Sequence, residues 1–274
     1  MPELPEVETI VRDIRPALLG RRIDHVALSH DDVLRGVTRR RLLRELTGAT
    51  VYDVFRRAKH AVLVLGAKRL VVQPGMTGSL VVHPRPLEGE ERTYAVLRAR
   101  LDDGRELVYR DVRRLGTVLL LDGRGWERYD RAIGPEPLDA GFTAEDLGEA
   151  LGRSRQSVKK VIMDQKHLAG VGNIYANEAL YAAGIDPSKP ARKLMPEDHR
   201  RLHREIQRIL KAAIRSNGTT VRDYRTGTGE AGNFQLELLA YGREGEPCRR
   251  CGTRLTGTHS IDARITVFCH RCQS

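Results

Sequence analysis

The first three residues, Met1-Pro2-Glu3, have the types and the order that covalent catalysis at a chain terminus would need. A small residue after the initiator methionine normally allows its removal, which would leave Pro2 carrying a secondary amine. An α-amine has a reference pKa of about 7.7–8.0, so a useful fraction is unprotonated at neutral pH. Such an amine can attack an electrophilic carbon to form an imine, while the adjacent Glu3 moves protons. The alternative is a stable terminus that merely begins a helix, since so short a motif also matches by chance.

All four cysteines lie near the end of the chain, in two Cys-x-x-Cys pairs. Cys248 and Cys251 are separated by 17 residues from Cys269 and Cys272. This spacing is typical of a zinc ribbon, in which each pair places two thiolates on one side of a tetrahedral ion. Disulfides and free thiols are the alternatives, and the lack of a secretory context disfavours disulfides. The pattern predicts one structural Zn²⁺ that supplies most of the folding free energy of the ribbon.

The charge of the chain points to a polyanionic partner. Lys and Arg number 47 against 36 Asp and Glu, a formal net charge of +11, and nucleic acid is the simplest partner for it. The basic residues are spread along the chain, which favours a folded surface over a disordered arm; a merely solvated basic surface is the alternative. The apolar runs are too short to span a bilayer and the acidic N-terminus lacks a signal sequence, so a cytoplasmic, nucleoid-associated protein is expected.

The elements that position these groups follow from hydrophobic periodicity. Apolar residues at helical spacing predict an amphipathic helix from Pro5 to about Leu19, which would anchor the N-terminus. Between Arg22 and Leu121, short runs rich in Val and Leu alternate with turn signals, as in an antiparallel sandwich. A Gly-Pro-Glu-Pro segment then interrupts the pattern as a linker would. Four helices are predicted beyond it, at residues 143–151, 157–166, 173–183 and 196–217.

Two segments of the C-terminal half could hold a phosphate group. In the turn from Gly170 to Asn173, glycines allow close backbone approach and the N-terminus of the next helix would attract an anion. An ordinary interhelical turn is the alternative. Between the cysteine pairs, residues 260–268 are typical of part of a hairpin with Arg264 near its tip. A rigid guanidinium there suits a phosphate.

Several motifs, taken in order, resemble the formamidopyrimidine-DNA glycosylase family, bacterial base-excision enzymes that share a fold with endonuclease VIII. The resemblance begins with Pro-Glu-Leu-Pro-Glu-Val-Glu-Thr at residues 2–9 and extends over nearly the whole chain. Each motif is weak alone, but their order is very specific. The others are Arg57-Ala58-Lys59-His60, Gly75-Met76-Thr77-Gly78, Asp111-Val112-Arg113-Arg114-Leu115-Gly116, the Gly170–Tyr175 turn, and Tyr241-Gly242-Arg243 before the cysteines.

The resemblance implies an α+β fold and a domain order. Residues 1–133 would form an N-terminal catalytic β-sandwich domain with its N-terminal helix, and residues 134–142 a linker. Residues 143–238 would form a helix–two-turn–helix domain, followed by a four-Cys zinc ribbon at residues 239–274. The implied partner is double-stranded damaged DNA, bound by a monomer.

The resemblance also implies catalytic roles for five residues. Pro2 would attack C1′ of the damaged nucleotide, and Glu3 would be the acid that helps open the sugar. Glu6 would support this site. Lys59 would contact phosphate and assist β-elimination, and Arg264 would bind the phosphate flanking the flipped nucleotide and assist δ-elimination.

A base inside the stack is out of reach, so such an enzyme must flip it out and fill the gap. In the family three side chains do this, from positions that match Met76, Arg113 and Leu115. Here Leu115 stands where the glycosylase usually has Phe, and Val112 where it usually has Pro. The segment from Tyr224 to Phe234 corresponds to the part that covers an extruded purine. Further expected DNA contacts are Tyr94, Arg155, Lys159, Lys166, Asn173 and Tyr241.

The sequence therefore predicts a bifunctional DNA glycosylase and abasic-site lyase that excises oxidised purines (8-oxoguanine and formamidopyrimidines) and cleaves by β,δ-elimination. The same chemistry on oxidised pyrimidines, as in endonuclease VIII, is one alternative. A non-catalytic zinc protein that binds damaged DNA is another, although such a protein would not need Pro2, Glu3 and Lys59 together.

Overall fold

The N-terminal helix, α1 (Leu4–Leu18), lies within a residue of its predicted limits. Pro5 occupies the first turn, where a proline removes no helical hydrogen bond. The buried face consists of apolar residues at helical spacing, among them Val7, Ile10 and Ile14. Burial of this face holds the start of the chain in place.

The computed structural model describes residues 1–220 and 225–274, and their contacts divide them into two units. The first unit consists of residues 1–131 and 216–233, and the second of residues 132–215 and 234–274. No helix in the described ranges is both long and apolar enough to cross a membrane.

The first unit contains two four-stranded antiparallel sheets. The strands are β1 (Ile23–Leu28), β2 (Asp53–Arg57), β3 (His60–Leu65), β4 (Lys68–Gln73), β5 (Gly78–His83), β6 (Ala95–Leu101), β7 (Glu106–Asp111) and β8 (Thr117–Leu121). Their orders in the two sheets are β1-β6-β7-β5 and β2-β3-β4-β8. Side chains of both sheets and of α1 share one hydrophobic core, so the predicted sandwich is confirmed.

Two helices of the first unit, α2 (Arg39–Leu46) and α3 (Gly123–Arg131), are absent from the sequence prediction. The helix α2 is short and largely basic, and only two of its residues are buried. The helix α3 contains two glycines, which weaken any helical signal. Its position depends on tertiary contacts such as the edge-on packing of Trp126 against Phe55, with ring centroids 5.7 Å apart.

The second unit is helical and ends in a small hairpin, as predicted. The helix α5 (Val158–Met163) ends before residue 166, its predicted limit. The reason is a turn in which the Asp164 carboxylate accepts the backbone N–H of Lys166 at 2.9 Å. The elements are α4 (Ala144–Gly152), α5 (Val158–Met163), α6 (Asn173–Ala183), α7 (Pro196–Arg215), β9 (Thr256–Thr258) and β10 (Thr266–Phe268).

Residues 216–233 pack within the first unit, whereas the sequence prediction includes them in the helical domain. The chain turns after α7 through Asn217 and Gly218, which have φ angles of +58° and +81°. The next residue, Thr219, donates its backbone N–H to the Glu6 carboxylate of α1 at 2.8 Å. Contacts with α1 rather than local helical pattern therefore determine where this segment lies.

Candidate active site

The start of the chain is buried in the first unit. Pro2 and Glu3 are buried, and Glu6 is 2% exposed. One Glu6 oxygen accepts the backbone N–H of Glu3 at 2.8 Å, and the other accepts that of Thr219 at 2.8 Å. Glu6 thus links Glu3, the residue beside Pro2, to the segment that follows α7. This is how Glu6 could support the site, as the sequence predicts.

Several charged groups surround the terminal amine, which in the full chain belongs to Met1. Burial lowers the pKa of this amine, Glu3 and Glu6 raise it, and Lys59 and Arg113 lower it. The fold therefore brings these four side chains within electrostatic reach of one amine, although up to 110 residues separate them in the sequence. A neutral amine flanked by a carboxylate and a lysine can act as a nucleophile.

Lys59 lies in the two-residue turn between β2 and β3 and is 4% exposed. The preceding Ala58 has a φ of +52°, a conformation that is costly for a residue with a Cβ and is often found at functional sites. Beside it, His60 has a pKa lowered to about 4, chiefly by burial. His60 is therefore neutral at pH 7, which leaves Lys59 as the cation of this turn.

The predicted wedge side chains lie on two neighbouring loops. Met76 is in the loop between β4 and β5, and Arg113 and Leu115 are in the loop between β7 and β8. The Arg113 Nη2 lies 2.8 Å from the Met76 Sδ, so the fold brings them together. Leu115 is 60% exposed and Met76 49%. Tyr94, on the adjoining turn, is exposed with a φ of +62°.

The segment predicted to cover an extruded base lies against α1 as far as it is described; Tyr224 falls outside the described residues. The Gly227 N–H donates to the Asp13 carboxylate at 3.2 Å. A Cβ on Gly227 would lie 2.8 Å from the Ile10 carbonyl oxygen, so only glycine allows this approach. The helix that carries the N-terminus therefore also holds this segment.

In the second unit, side chains of α5 and α6 form hydrogen bonds to the residues that follow Arg264. The Lys159 ammonium donates to the Ile265 carbonyl at 3.2 Å and to the Thr266 hydroxyl at 2.6 Å. The Asn173 amide donates to the same Ile265 carbonyl at 3.1 Å. The Arg264 side chain is 54% exposed and lies 3.4 Å from the Asp262 carboxylate. A half-exposed guanidinium on an anchored strand can reach a phosphate.

The position of Lys159 corrects one prediction. The sequence predicts a direct DNA contact, but the side chain is fully buried and its ammonium binds the ribbon. The burial of Lys159 could not be predicted from the sequence, because Lys159 and Lys160 are adjacent residues of the same type. Lys159 therefore anchors the Arg264 loop, whereas Arg155 and Lys166 are exposed as DNA contacts would need to be.

Glu178 is a site residue that the sequence prediction missed. Its buried carboxylate accepts the backbone N–H groups of Leu239, Ala240 and Tyr241 at 2.8, 2.9 and 2.7 Å. This holds Tyr241, a predicted DNA contact, at the entry to the ribbon. Glu178 is the single charged residue of α6, and this was the available signal, since a charge on a largely buried helix needs buried partners.

The four cysteines form the predicted cluster, and their sulfur atoms all lie within 4.8 Å of one another. Cys248 and Cys272 are 3.9 Å apart at Sγ, and Cys251 and Cys269 are 3.6 Å apart. Disulfides need far shorter distances, whereas a tetrahedral Zn²⁺ with bonds of about 2.3 Å needs sulfur atoms roughly 3.8 Å apart. The residues therefore fit a metal ion, and four thiolates leave no position for chemistry.

Comparisons with known proteins agree with this geometry. The profile of the formamidopyrimidine-DNA glycosylase N-terminal domain matches residues 1–118, and that of the formamidopyrimidine-DNA glycosylase H2TH domain matches residues 133–225. Over the full length of both chains, the protein is 43% identical to a formamidopyrimidine-DNA glycosylase of Xanthomonas campestris pv. campestris and 38% identical to one of Desulfitobacterium hafniense.

Solved structures show the same relationship. A Lactococcus lactis Fpg variant in complex with Fapy-dG DNA is 33% identical, with a TM-score of 0.90 and full coverage of both chains. The MutM (Fpg) protein of Thermus thermophilus is 35% identical, with a TM-score of 0.87 and coverage of 99% and 98%. With its fold, its four-cysteine cluster and its full-length relatives in agreement, the chain belongs to the formamidopyrimidine-DNA glycosylase family, the family and enzyme class that its sequence predicts.

Proposed function

We propose that this protein excises oxidised purines from double-stranded DNA through an imine on Pro2 and then cleaves the abasic site. The observation that carries the proposal is the burial of Pro2 and Glu3 at a chain terminus that has Glu3, Lys59 and Arg113 within electrostatic reach. Solved relatives bind DNA that contains Fapy-dG or carbocyclic 8-oxo-G, which supports an oxidised purine as the substrate. Chromosomal DNA as substrate places the protein with the nucleoid in the cytoplasm, and one active site per chain suffices for a monomer.

The residues support a sequence of balanced steps. The Pro2 nitrogen forms a bond to C1′, the bond from C1′ to the base breaks, and the departing base takes up the proton that the Pro2 nitrogen loses. Proton transfer from Glu3 to the ring oxygen opens the sugar and leaves an iminium ion between Pro2 and C1′. Loss of a C2′ proton then expels the 3′ phosphate, and loss of a C4′ proton expels the 5′ phosphate. The cations Lys59 and Arg264 stabilise these leaving phosphates.

The Zn²⁺ site supports this chemistry indirectly. When bound, the ion crosslinks the ribbon that carries Arg264. The buried Lys159 and the half-buried Asn173 fix the strand that follows Arg264, so the backbone that carries this guanidinium is held in place before DNA arrives. Such preorganisation lowers the entropy cost of binding.

Excision assays on matched duplexes test the lesion class. We expect faster release from duplexes with 8-oxoguanine or a formamidopyrimidine than from the same duplex with thymine glycol. A preference for thymine glycol would assign the protein to the oxidised-pyrimidine alternative. Tight binding without any covalent adduct on borohydride treatment would instead make it a damaged-DNA-binding protein.

The pH dependence of imine formation should reflect the pKa of the Pro2 amine. Only the unprotonated amine attacks, so the rate rises with pH through the pKa and then levels off. Because Pro2 is buried and burial disfavours the charged form of an amine, we expect the midpoint of the acidic limb below about pH 8. Rates of borohydride-trapped adduct on an abasic duplex, between about pH 5.5 and pH 9, measure it. A limb centred at or above pH 8 would contradict a buried nucleophile.

Replacing Arg264 by Ala should weaken DNA binding by about 1–3 kcal/mol, because a charge-assisted hydrogen bond to phosphate is lost. The dependence of log Kd on log salt concentration should fall in slope by about 1, as expected for one lost phosphate contact. Fluorescence anisotropy across a salt titration measures both quantities. Arg271→Ala, an exposed arginine of the same ribbon, is the matched control. Equal effects of the two substitutions would remove Arg264 from the phosphate grip.

A further inference from the structure

We infer that Asp111 is a positioning residue that locks the two wedge loops together before DNA binds. This inference rests on the proposed function, because it concerns how the enzyme opens a duplex. Asp111 is the last residue of β7, and its side chain is buried, with the residue 1% exposed. Because its side chain is buried, Asp111 acts through the two loops to which it is hydrogen-bonded.

The Asp111 carboxylate collects hydrogen bonds from both loops. One oxygen accepts the Thr77 hydroxyl at 2.6 Å, from the loop that carries Met76. The other oxygen accepts the Gly116 backbone N–H at 2.9 Å, from the loop that carries Arg113 and Leu115. The Tyr109 hydroxyl donates to this second oxygen, also at 2.9 Å. A carboxylate that accepts several donors is held in one orientation and holds its donors in turn.

Thr77 extends this connection to Arg113. Its hydroxyl hydrogen is used on Asp111, so its oxygen is available as an acceptor. The backbone N–H of Arg113 donates to that oxygen at 3.1 Å. A chain of two hydrogen bonds therefore runs from Asp111 through Thr77 to the backbone of a wedge residue. The arginine side chain then lies against the Met76 sulfur.

The close approach of the loops requires glycine on each. A Cβ on Gly75 would lie 2.5 Å from the Asp111 carboxylate and 2.7 Å from the Gly116 nitrogen. A Cβ on Gly116 would lie 2.7 Å from the Gly75 nitrogen. Real Cβ atoms do not make such contacts. Neither glycine has a positive φ, so the space beside Asp111 and not the backbone conformation excludes other residues.

This arrangement explains how apolar side chains can stay exposed and still be ready to insert. Met76 and Leu115 are 49% and 60% exposed, so their own packing does little to order them. Arg114, between two wedge residues, has a φ of +50°, and its N–H donates to the Asp111 carbonyl at 3.3 Å. Asp111 thus orders the backbone of both wedge loops before DNA binds. The conformational entropy of these loops is therefore not lost at the step in which the base stack opens.

An Asp111→Asn substitution keeps the shape but replaces one acceptor oxygen by a donor, so at least one loop loses its anchor. The test compares two substrates that carry the same abasic site, one in a duplex and one in the unpaired strand. The single strand has no stack to fill and so does not need the wedge. We expect the rate of borohydride-trapped adduct on the duplex to fall by about 10-fold or more, with the single-strand rate within about twofold of wild type.

Asp102→Asn, an exposed aspartate of the same unit, is the control and should leave both rates unchanged. Equal loss on both substrates, or no loss on either, would overturn the inference. Thr77→Val tests it independently of the charge: it removes the hydroxyl that joins Asp111 to Arg113 but leaves the Asp111–Gly116 hydrogen bond, and Thr77→Ser keeps the hydroxyl. We expect the rate of adduct formation on the duplex to fall in Thr77→Val and to be retained in Thr77→Ser. Equal rates in the two variants would count against the link from Asp111 through Thr77 to Arg113. A wild-type protein that forms no adduct on either substrate would refute the proposed function instead.

Discussion

A protein that keeps Met1 is expected to form no covalent adduct with an abasic duplex, because the Pro2 nitrogen is then part of an amide bond. Pro2→Glu has the same consequence, since a large second residue prevents removal of the methionine and the proline nitrogen itself is gone. We expect at least a thousandfold loss of borohydride-trapped adduct, about 4 kcal/mol in activation free energy. The wild-type mass spectrum should show a chain that begins at Pro2.

Pro16→Ala is the matched control, because Pro16 is exposed and lies in the same helix away from the terminus. It should form the adduct at the wild-type rate. DNA affinity of Pro2→Glu should remain within a few-fold of wild type, since the groups proposed to hold phosphate are unchanged. An adduct formed at the wild-type rate by the protein that retains Met1 would assign the nucleophile to another amine, either the Met1 α-amine or Lys59, which lies within electrostatic reach of it.

Loss of the metal is expected to have the second large effect, on DNA binding. The Cys248→Ser variant removes one thiolate from a ribbon whose own apolar cluster is small. Structural zinc sites of this kind contribute roughly 10 kcal/mol or more to folding, so the ribbon should lose its order. Arg264 is then no longer held, and affinity for an abasic duplex should fall by about 100-fold or more, the combined loss of several phosphate contacts. Metal content by mass spectrometry and anisotropy titrations measure the two effects.

His270→Ala provides the comparison for this variant. His270 lies between Cys269 and Cys272, but four thiolates already complete a tetrahedral shell. Zinc content should therefore stay at one per chain and affinity should change little. A loss of metal in His270→Ala, or full affinity in a metal-free Cys248→Ser protein, would contradict a purely structural four-cysteine site.

The hydrophobic pattern of the sequence was sufficient to predict those helices and strands in which buried residues recur with the helical or strand period. The strands of the first unit lie in the Val- and Leu-rich stretch that predicts the sandwich, and in β8 every second residue is buried, as the period of a strand requires. The helix α6 likewise begins at Asn173 and ends before Gly184, as predicted. By contrast, α3 depends on packing between Trp126 and Phe55, residues 71 positions apart, and no local pattern contains that contact.

The candidate site divides in the same way. The cysteine spacing predicts a metal cluster because two-residue gaps restrict thiolate geometry within each turn. The residues that position the site are different. Nothing in the neighbours of Asp111 shows that Thr77, 34 residues away, is its partner. Lys159 is also adjacent to an exposed lysine of the same type, yet it is fully buried.

The sequence by itself determined which chemistry is available: a proline after the initiator methionine and beside a carboxylate, four cysteines at ribbon spacing, and an excess of basic residues. These depend on residue type and short spacing, which the chain carries before it folds. The tertiary structure alone decided which charged groups are buried and which loops are joined, as for Lys159 and Asp111. Burial and long-range hydrogen bonds depend on residues that come into contact only when the sheets and helices pack, and no local sequence pattern contains those contacts.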